Sequence, residues 1–221
     1  MIFSAMKRNG LILAAFAIVA TALLMFTQFL TADRIAAQQR NELMLTLTAL
    51  IPSDSYSNDL YGDCTEVINI NALGSRLPQP IYRARFNDKP VALAVRTTAP
   101  DGYSGDIHLL VAISVNGTVL GARVLEHRET PGLGDKVDAR RSDWIYSFTN
   151  ERVRDASDVR WQVRRDGGAF DQFTGATITP RAVINAIQRT VVWANENQQR
   201  LFAAPTQCSN NTPMPEELSH E

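Results

Sequence analysis

Ile107-His108-Leu109-Leu110-Val111-Ala112-Ile113-Ser114-Val115-Asn116-Gly117-Thr118-Val119-Leu120-Gly121-Ala122-Arg123-Val124-Leu125-Glu126 decides the fold class. Two runs rich in aliphatic and β-branched residues flank Asn116-Gly117, a pair that tolerates positive φ at both positions. The stretch therefore predicts a hairpin with strands at 107–115 and 118–126. Upstream, 81–86 and 91–97 read as two further strands separated by Asn87-Asp88-Lys89-Pro90, which extends the hairpin into an antiparallel meander. Downstream, 142–148 predicts a short helix, 161–164 another strand, and the stretch from Pro180 to about Leu201 a long amphipathic helix. Strands in series followed by helices define an α+β domain rather than a doubly wound sheet.

The chain has 221 residues, 45% of them hydrophobic, enough for one substantial core. Residues 11–30 carry no charge, with Thr21, Thr27 and Gln28 the clearly polar interruptions, and such a helix spans a hydrocarbon core of ~30 Å. This apolar run is longer than the ~7–15 residues of a signal-peptide core, and Leu30-Thr31-Ala32 is a poor cleavage site. An uncleaved anchor is the expectation, with a cleaved signal peptide the alternative. Lys7 and Arg8 precede the span, whereas Asp33, Arg34, Arg40 and Glu42 follow it in mixed sign. Positive charge on the N-terminal flank places 1–10 in the cytoplasm and 31–208 outside it. Without Lys7 and Arg8 the basic residues number 20 against 23 acidic, a balance of −3 that argues against a nucleic-acid partner.

Residues 35–50 predict a helix that continues beyond the span and stops at Pro52-Ser53. Residues 55–79 are rich in Asp, Asn, Gly and Ser and predict little regular structure. Residues 209–221 cannot supply a core face and read as a disordered acidic tail. Cys64 and Cys208, the only cysteines, either pair in an oxidising compartment or stay as two thiols, and their spacing does not choose between these. Neither cysteine has a histidine or second cysteine at ligand spacing, so no metal site is expected. No dinucleotide or Walker fingerprint occurs, and His108 and His127 accompany no nucleophile pattern.

The chemistry concentrates in Asp171-Gln172-Phe173-Thr174-Gly175-Ala176-Thr177-Ile178-Thr179-Pro180. Thr179 reads as N-cap and Pro180 as the first helical residue. Amides without partners and the helix dipole favour an anion near Thr177, and the small residues Gly175 and Ala176 leave room for it. The residues alone favour a plain helix cap that binds nothing.

Asp171-x-x-Thr174-Gly175-Ala176-Thr177 resembles the acceptor motif of proteins that carry FMN through a phosphoester to threonine. Ala99-Pro100-Asp101-Gly102-Tyr103-Ser104-Gly105 and Glu129-Thr130-Pro131-Gly132-Leu133-Gly134-Asp135-Lys136 precede it. The order and spacing of the three blocks resemble the G subunit of Rnf electron-transport complexes, a family related to the C subunit of the sodium-pumping NADH:quinone reductase. Gln172 departs from the glycine that many acceptor motifs carry. The resemblance implies a single-pass inner-membrane protein with one periplasmic FMN-binding domain. It further implies covalent FMN on Thr177, placed there by a flavin transferase, and partners among the other subunits of the complex. Thr174, Gly175, Ala176 and Asp171 would shape the turn, Tyr103 and Ser104 would approach the flavin, and Glu129, Thr130, Gly132 and Leu133 would wrap it. Such a chain is a redox carrier rather than an independent catalyst. The alternative is a membrane-anchored binding or assembly module without flavin.

Overall fold

The computed structural model describes residues 2–208, so the acidic tail expected at 209–221 lies outside the described residues. A single helix, α1 (Ile2–Leu50), runs unbroken through the charge-free stretch, which is exposed and long and apolar enough to cross a membrane. It stops before Pro52, as a ring without an N–H requires. Contacts divide the chain at Met44, and Leu45 opens the compact unit that holds the sheet.

Five antiparallel strands follow in sequence order: β1 (Cys64–Val67), β2 (Gln79–Phe86), β3 (Lys89–Ala99), β4 (Ile107–Ser114) and β5 (Val119–Glu126). The four strands predicted within 81–126 are present. Asn87 and Asp88 both adopt positive φ, 50° and 63°, and join β2 to β3 with Phe86 opposite Lys89. This pair, rather than Asn116-Gly117, makes the two-residue turn, because only Gly117 of the second pair has positive φ. β1 and the one-turn α2 (Ile70–Leu73) lie inside 55–79, a stretch whose composition predicts no regular structure. Asn69 caps α2 through a bond from the Ala72 amide, and Gly74 closes it in the left-handed region at φ 66°.

One sheet face carries Ile81, Val95, Val111 and Ala122 in register, with Leu93, Ile113 and Val119 beside them. These pack in a single core with Val183, Ile184, Ile187 and Val191 of α3 (Ile178–Ala203). The opposite face is lined with small residues: Ala84, Ala92, Ala94, Ala112 and Gly121. A Cβ on Gly121 would stand 2.8 Å from the Leu50 Cδ2, so glycine there lets the buried end of α1 approach.

The predicted strand at 161–164 is absent. Val163 makes one bridge with Phe170, a 3-10 turn (Arg164–Asp166) follows, and Gly167 turns the chain back at φ 92°. Trp161 is instead a core residue stacked on Phe148 at 5.7 Å. The short helix expected at 142–148 is a 3-10 helix, Asp143–Phe148, capped by the Ser142 hydroxyl.

Cys64 and Cys208 form a disulfide, with Cα atoms 5.6 Å apart. Beside it the buried Arg83 donates to the carbonyls of Leu201 and Ala204 and to the Thr206 hydroxyl, while Asp63 pairs with both Arg83 and Arg85. The end of α3 is thereby held to β2 by charge-assisted bonds, while the disulfide fastens the segment after it to β1.

The Asp158 side chain is fully buried and accepts from the amides of Arg154 and Arg160 and from both guanidinium groups. The Arg160 bonds, working against burial and aided by Arg154, hold its carboxyl well below the usual carboxylate range. A depressed folded-state pKa stabilises fully above the unfolded value of ~3.9 and is lost as pH falls below it. Asp158→Asn is therefore expected to lower the urea midpoint at neutral pH, with the gap to wild type narrowing between about pH 4 and pH 2. Denaturation curves across that range test this.

Candidate functional site

Two tight turns face each other beyond the ends of the strands. In the first, the Leu133 amide donates to the Thr130 carbonyl at 3.1 Å, with Pro131 and Gly132 between them and Gly132 at φ 78°. In the second, the Ala176 amide donates to the Phe173 carbonyl at 3.1 Å, and Gly175 takes φ 80°. Both have the type II pattern, in which the third residue needs a positive φ that glycine reaches without strain. A Cβ on Gly175 would lie 3.7 Å from Leu133 Cδ2, so the two turns nearly touch. Gly175 thus meets the conformational demand of its turn, and Gln172 does not disturb it: its Oε1 accepts from the Arg165 amide at 3.3 Å.

The second turn is anchored from below. Phe173 is buried and meets Trp144 edge-on at 5.1 Å, and the Trp144 indole N–H donates to the Asp171 carbonyl at 2.7 Å. The Asp171 carboxylate pairs with Arg164 at 2.9 Å, and Asp166 receives both arms of the Arg181 guanidinium at 2.7 Å. These exposed pairs tie 164–171 to the start of α3.

Glu129 joins the three sequence blocks. It is 4% exposed, and its carboxylate accepts from the Ser104 amide at 2.9 Å and from the Thr179 hydroxyl. The glycines around it leave no room for a side chain. A Cβ on Gly102 would stand 3.0 Å from one Glu129 oxygen, and a Cβ on Gly134 2.6 Å from the other. The Glu129 amide in turn donates to His127 Nδ1 at 3.1 Å.

The bond from Thr179 corrects the predicted cap. Its hydroxyl is committed to Glu129, α3 starts two residues earlier than expected, at Ile178, and Thr177 occupies the N-cap position with φ −87° and ψ −23°. Thr177 is half-buried and makes no side-chain capping bond. Of the three threonines, Thr179 is buried, Thr174 lies exposed on the turn, and Thr177 stands where the amides of Ile178 and Thr179 lack intrahelical acceptors. No acidic residue occupies the first turn of α3, so nothing on the helix opposes an anion there. Around this point Tyr103, Leu133 and Ile178 are 67%, 42% and 48% exposed, apolar surface suited to covering a flat ring system.

Behind Glu129 lies a cleft of about 270 Å³ bordered by His127, Pro131, Asp135, Asp138, Arg140 and Arg141. Asp138 is buried and gripped by Arg140 through four bonds of 2.6 to 3.1 Å. Burial would raise its carboxyl pKa, but the Arg140 hydrogen bonds and nearby charge bring it below the usual value. Asp135, Asp138 and Trp144 carry no local sequence signature of their own and become visible only when the loops are packed.

A half-buried threonine hydroxyl at a helix start, two facing type II turns and exposed apolar surface fit a protein that holds a flat phosphorylated cofactor. Comparison with known proteins agrees. Residues 102–192 match the profile of the FMN-binding domain, and residues 1–50 match the RnfG N-terminal region. The chain is 48% identical over 205 residues to the G subunit of the ion-translocating oxidoreductase complex of Vibrio atlanticus, covering 93% of this chain and 98% of that one. It is 47% identical over 203 residues to the G subunit of the same complex from Shewanella amazonensis, covering 92% and 94%. The chain belongs to the family of G subunits of ion-translocating oxidoreductase complexes.

Removing the Glu129 carboxylate strands the Ser104 amide and the Thr179 hydroxyl. Glu129→Ala is expected to destabilise the domain by about 2–4 kcal/mol and to loosen the 102–105 loop. Glu129→Gln, which keeps one acceptor oxygen, is expected to recover part of that loss. Thermal unfolding of the two variants, with hydrogen exchange at Ser104, measures both effects.

Proposed function

We propose that the protein is an electron-transfer subunit of a membrane-bound, ion-translocating oxidoreductase complex and carries FMN on Thr177 through a phosphoester. The observation that carries this reading is the Thr177 hydroxyl, at the N-cap of α3 without a side-chain cap bond, between two turns built around positive-φ glycines. The family supports the flavin, since the FMN-binding profile covers Glu129, Leu133 and Thr177 together.

The residues fit the group. Helix-start amides suit a phosphodiester anion, Gly175 gives backbone access, and Tyr103, Leu133 and Ile178 offer apolar cover for the ring. In attachment, the Thr177 Oγ forms a bond to the FMN phosphorus of FAD as the bond to AMP breaks, and AMP carries off the hydroxyl proton. This exchange requires a flavin transferase. When bound, the flavin accepts and passes electrons, and the protein positions it and tunes it by hydrogen bonding and burial. Glu129 holds the three loops in place, Thr179 is kept out of competition for the flavin by its bond to Glu129, and Trp144 and Phe173 support the acceptor turn.

The remaining features suit a domain on the periplasmic side of the inner membrane, anchored by one helix. The 11–30 stretch of α1 is charge-free with Lys7 and Arg8 ahead of it, and the Cys64–Cys208 disulfide belongs in an oxidising compartment. A covalent tether also makes sense there, since a dissociated flavin would be lost by dilution. The other subunits of the complex would supply and receive the electrons.

Full-length protein expressed with the transferase is expected to show a fluorescent flavin band after denaturing electrophoresis. Thr177→Ala should abolish the band while leaving the folding midpoint within ~1–2 kcal/mol of wild type. A persistent band in that variant would remove Thr177 from the assignment.

A further inference from the structure

Asp135 is an anomaly that the FMN reading leaves unexplained. The residue is 7% exposed, one of its carboxylate oxygens is buried without any hydrogen-bond partner, and the other faces the Arg141 guanidinium at 3.7 Å. A carboxylate removed from water without hydrogen bonds is costly, and such groups in folded proteins have a reason. Asp135 borders the cleft of about 270 Å³ behind Glu129, in the same turn-bearing loop whose Leu133 meets the Thr177 turn.

The surroundings select what can satisfy it. The cleft mixes signs, with Glu129, Asp135 and Asp138 against Arg140 and Arg141, so neither a free cation nor a free anion is selected, and no cluster of His, Cys, Asp or Glu able to hold a metal exists among the described residues. An anion would meet the buried Asp135 carboxylate itself. What remains is a neutral group offering a donor with acceptors on either side. The imide edge of an isoalloxazine has that pattern, with N3–H between the C2 and C4 carbonyls. Asp135 offers the acceptor, and the Arg141 guanidinium on the cleft wall offers a donor.

We propose that Asp135 is the residue that receives the flavin N3–H, with Arg141 donating to a neighbouring imide carbonyl, so that the cleft behind Glu129 fixes the ring and biases its potential. A carboxylate beside the imide disfavours the added negative charge of the reduced ring, and an arginine there favours it. The two residues act in opposite senses.

The inference rests on FMN being attached at Thr177, and its test separates the two claims. Full-length protein, Asp135→Asn and Arg141→Gln would be loaded by the transferase with FMN enriched in nitrogen-15. Intact mass gives loading, the N3 resonance reports its hydrogen bond, and spectroelectrochemistry gives the midpoint potential. Equal loading of all three is expected, with the N3 resonance moved in Asp135→Asn and the potential shifted upward there and downward in Arg141→Gln. Equal loading with an unmoved N3 resonance and an unchanged potential in Asp135→Asn would overturn the cleft assignment and leave FMN attachment standing. Failure of the wild-type protein to load would overturn both. If Asp135→Asn does not fold, Arg141→Gln decides alone: a downward shift supports the cleft and no shift overturns it.

Discussion

The buried Glu129 carboxylate is the constraint on which the site depends. Three loops that are far apart in sequence have no reason to meet unless something polar and shared holds them. Glu129 takes a hydrogen bond from Ser104 in one and from Thr179 in another while lying in the third. Gly134 is glycine because a Cβ there would intrude on that carboxylate, whereas a Cβ on Gly102 would first meet the Gly105 carbonyl at 2.2 Å. The same bond uses up the Thr179 hydroxyl, and this leaves Thr177 at the mouth of α3 with its own hydroxyl uncommitted to the cap. One interaction therefore brings the three loops together and commits the Thr179 hydroxyl.

The sheet is legible in the sequence because its signals are local. Alternation and turn residues in 81–126 place four strands within a residue or two of their observed ends. The choice of hairpin turn is less secure, since Asn87-Asp88 and Asn116-Gly117 both tolerate positive φ and only the register shows which pair uses it. β1 escapes notice because Cys64, Thr65, Glu66 and Val67 form a short edge strand whose partner is about fifteen residues away, so pairing rather than propensity makes it a strand. Residues 161–164 fail in the opposite way: an apolar pattern around Trp161 and Val163 serves the aromatic core, with one bridge and no ladder.

At the site, the glycines of the two motif turns, Gly132 and Gly175, are legible because each answers to a positive φ. The motif misassigns the cap, since a threonine before a proline carries the same local signal whether its hydroxyl faces its own helix or a carboxylate fifty residues away. Tyr103 illustrates a different limit: it is exposed, as a residue waiting for a flat partner would be, and only its neighbour Ser104 is fixed by a bond. Asp135 and Arg141 have no signature, because a cleft is a property of packing.

The account turns on which hydroxyl carries the flavin. Thr174, Thr177 and Thr179 lie within six residues, and the structure distinguishes them by exposure, cap position and the bond to Glu129. Fragmentation mass spectrometry of the peptide spanning 171–181, taken from protein matured with the transferase, tests this most directly. The account predicts an addition of FMN less one water on Thr177 alone. The same addition on Thr174 or Thr179, or an unmodified peptide from cells shown to contain active transferase, would contradict it.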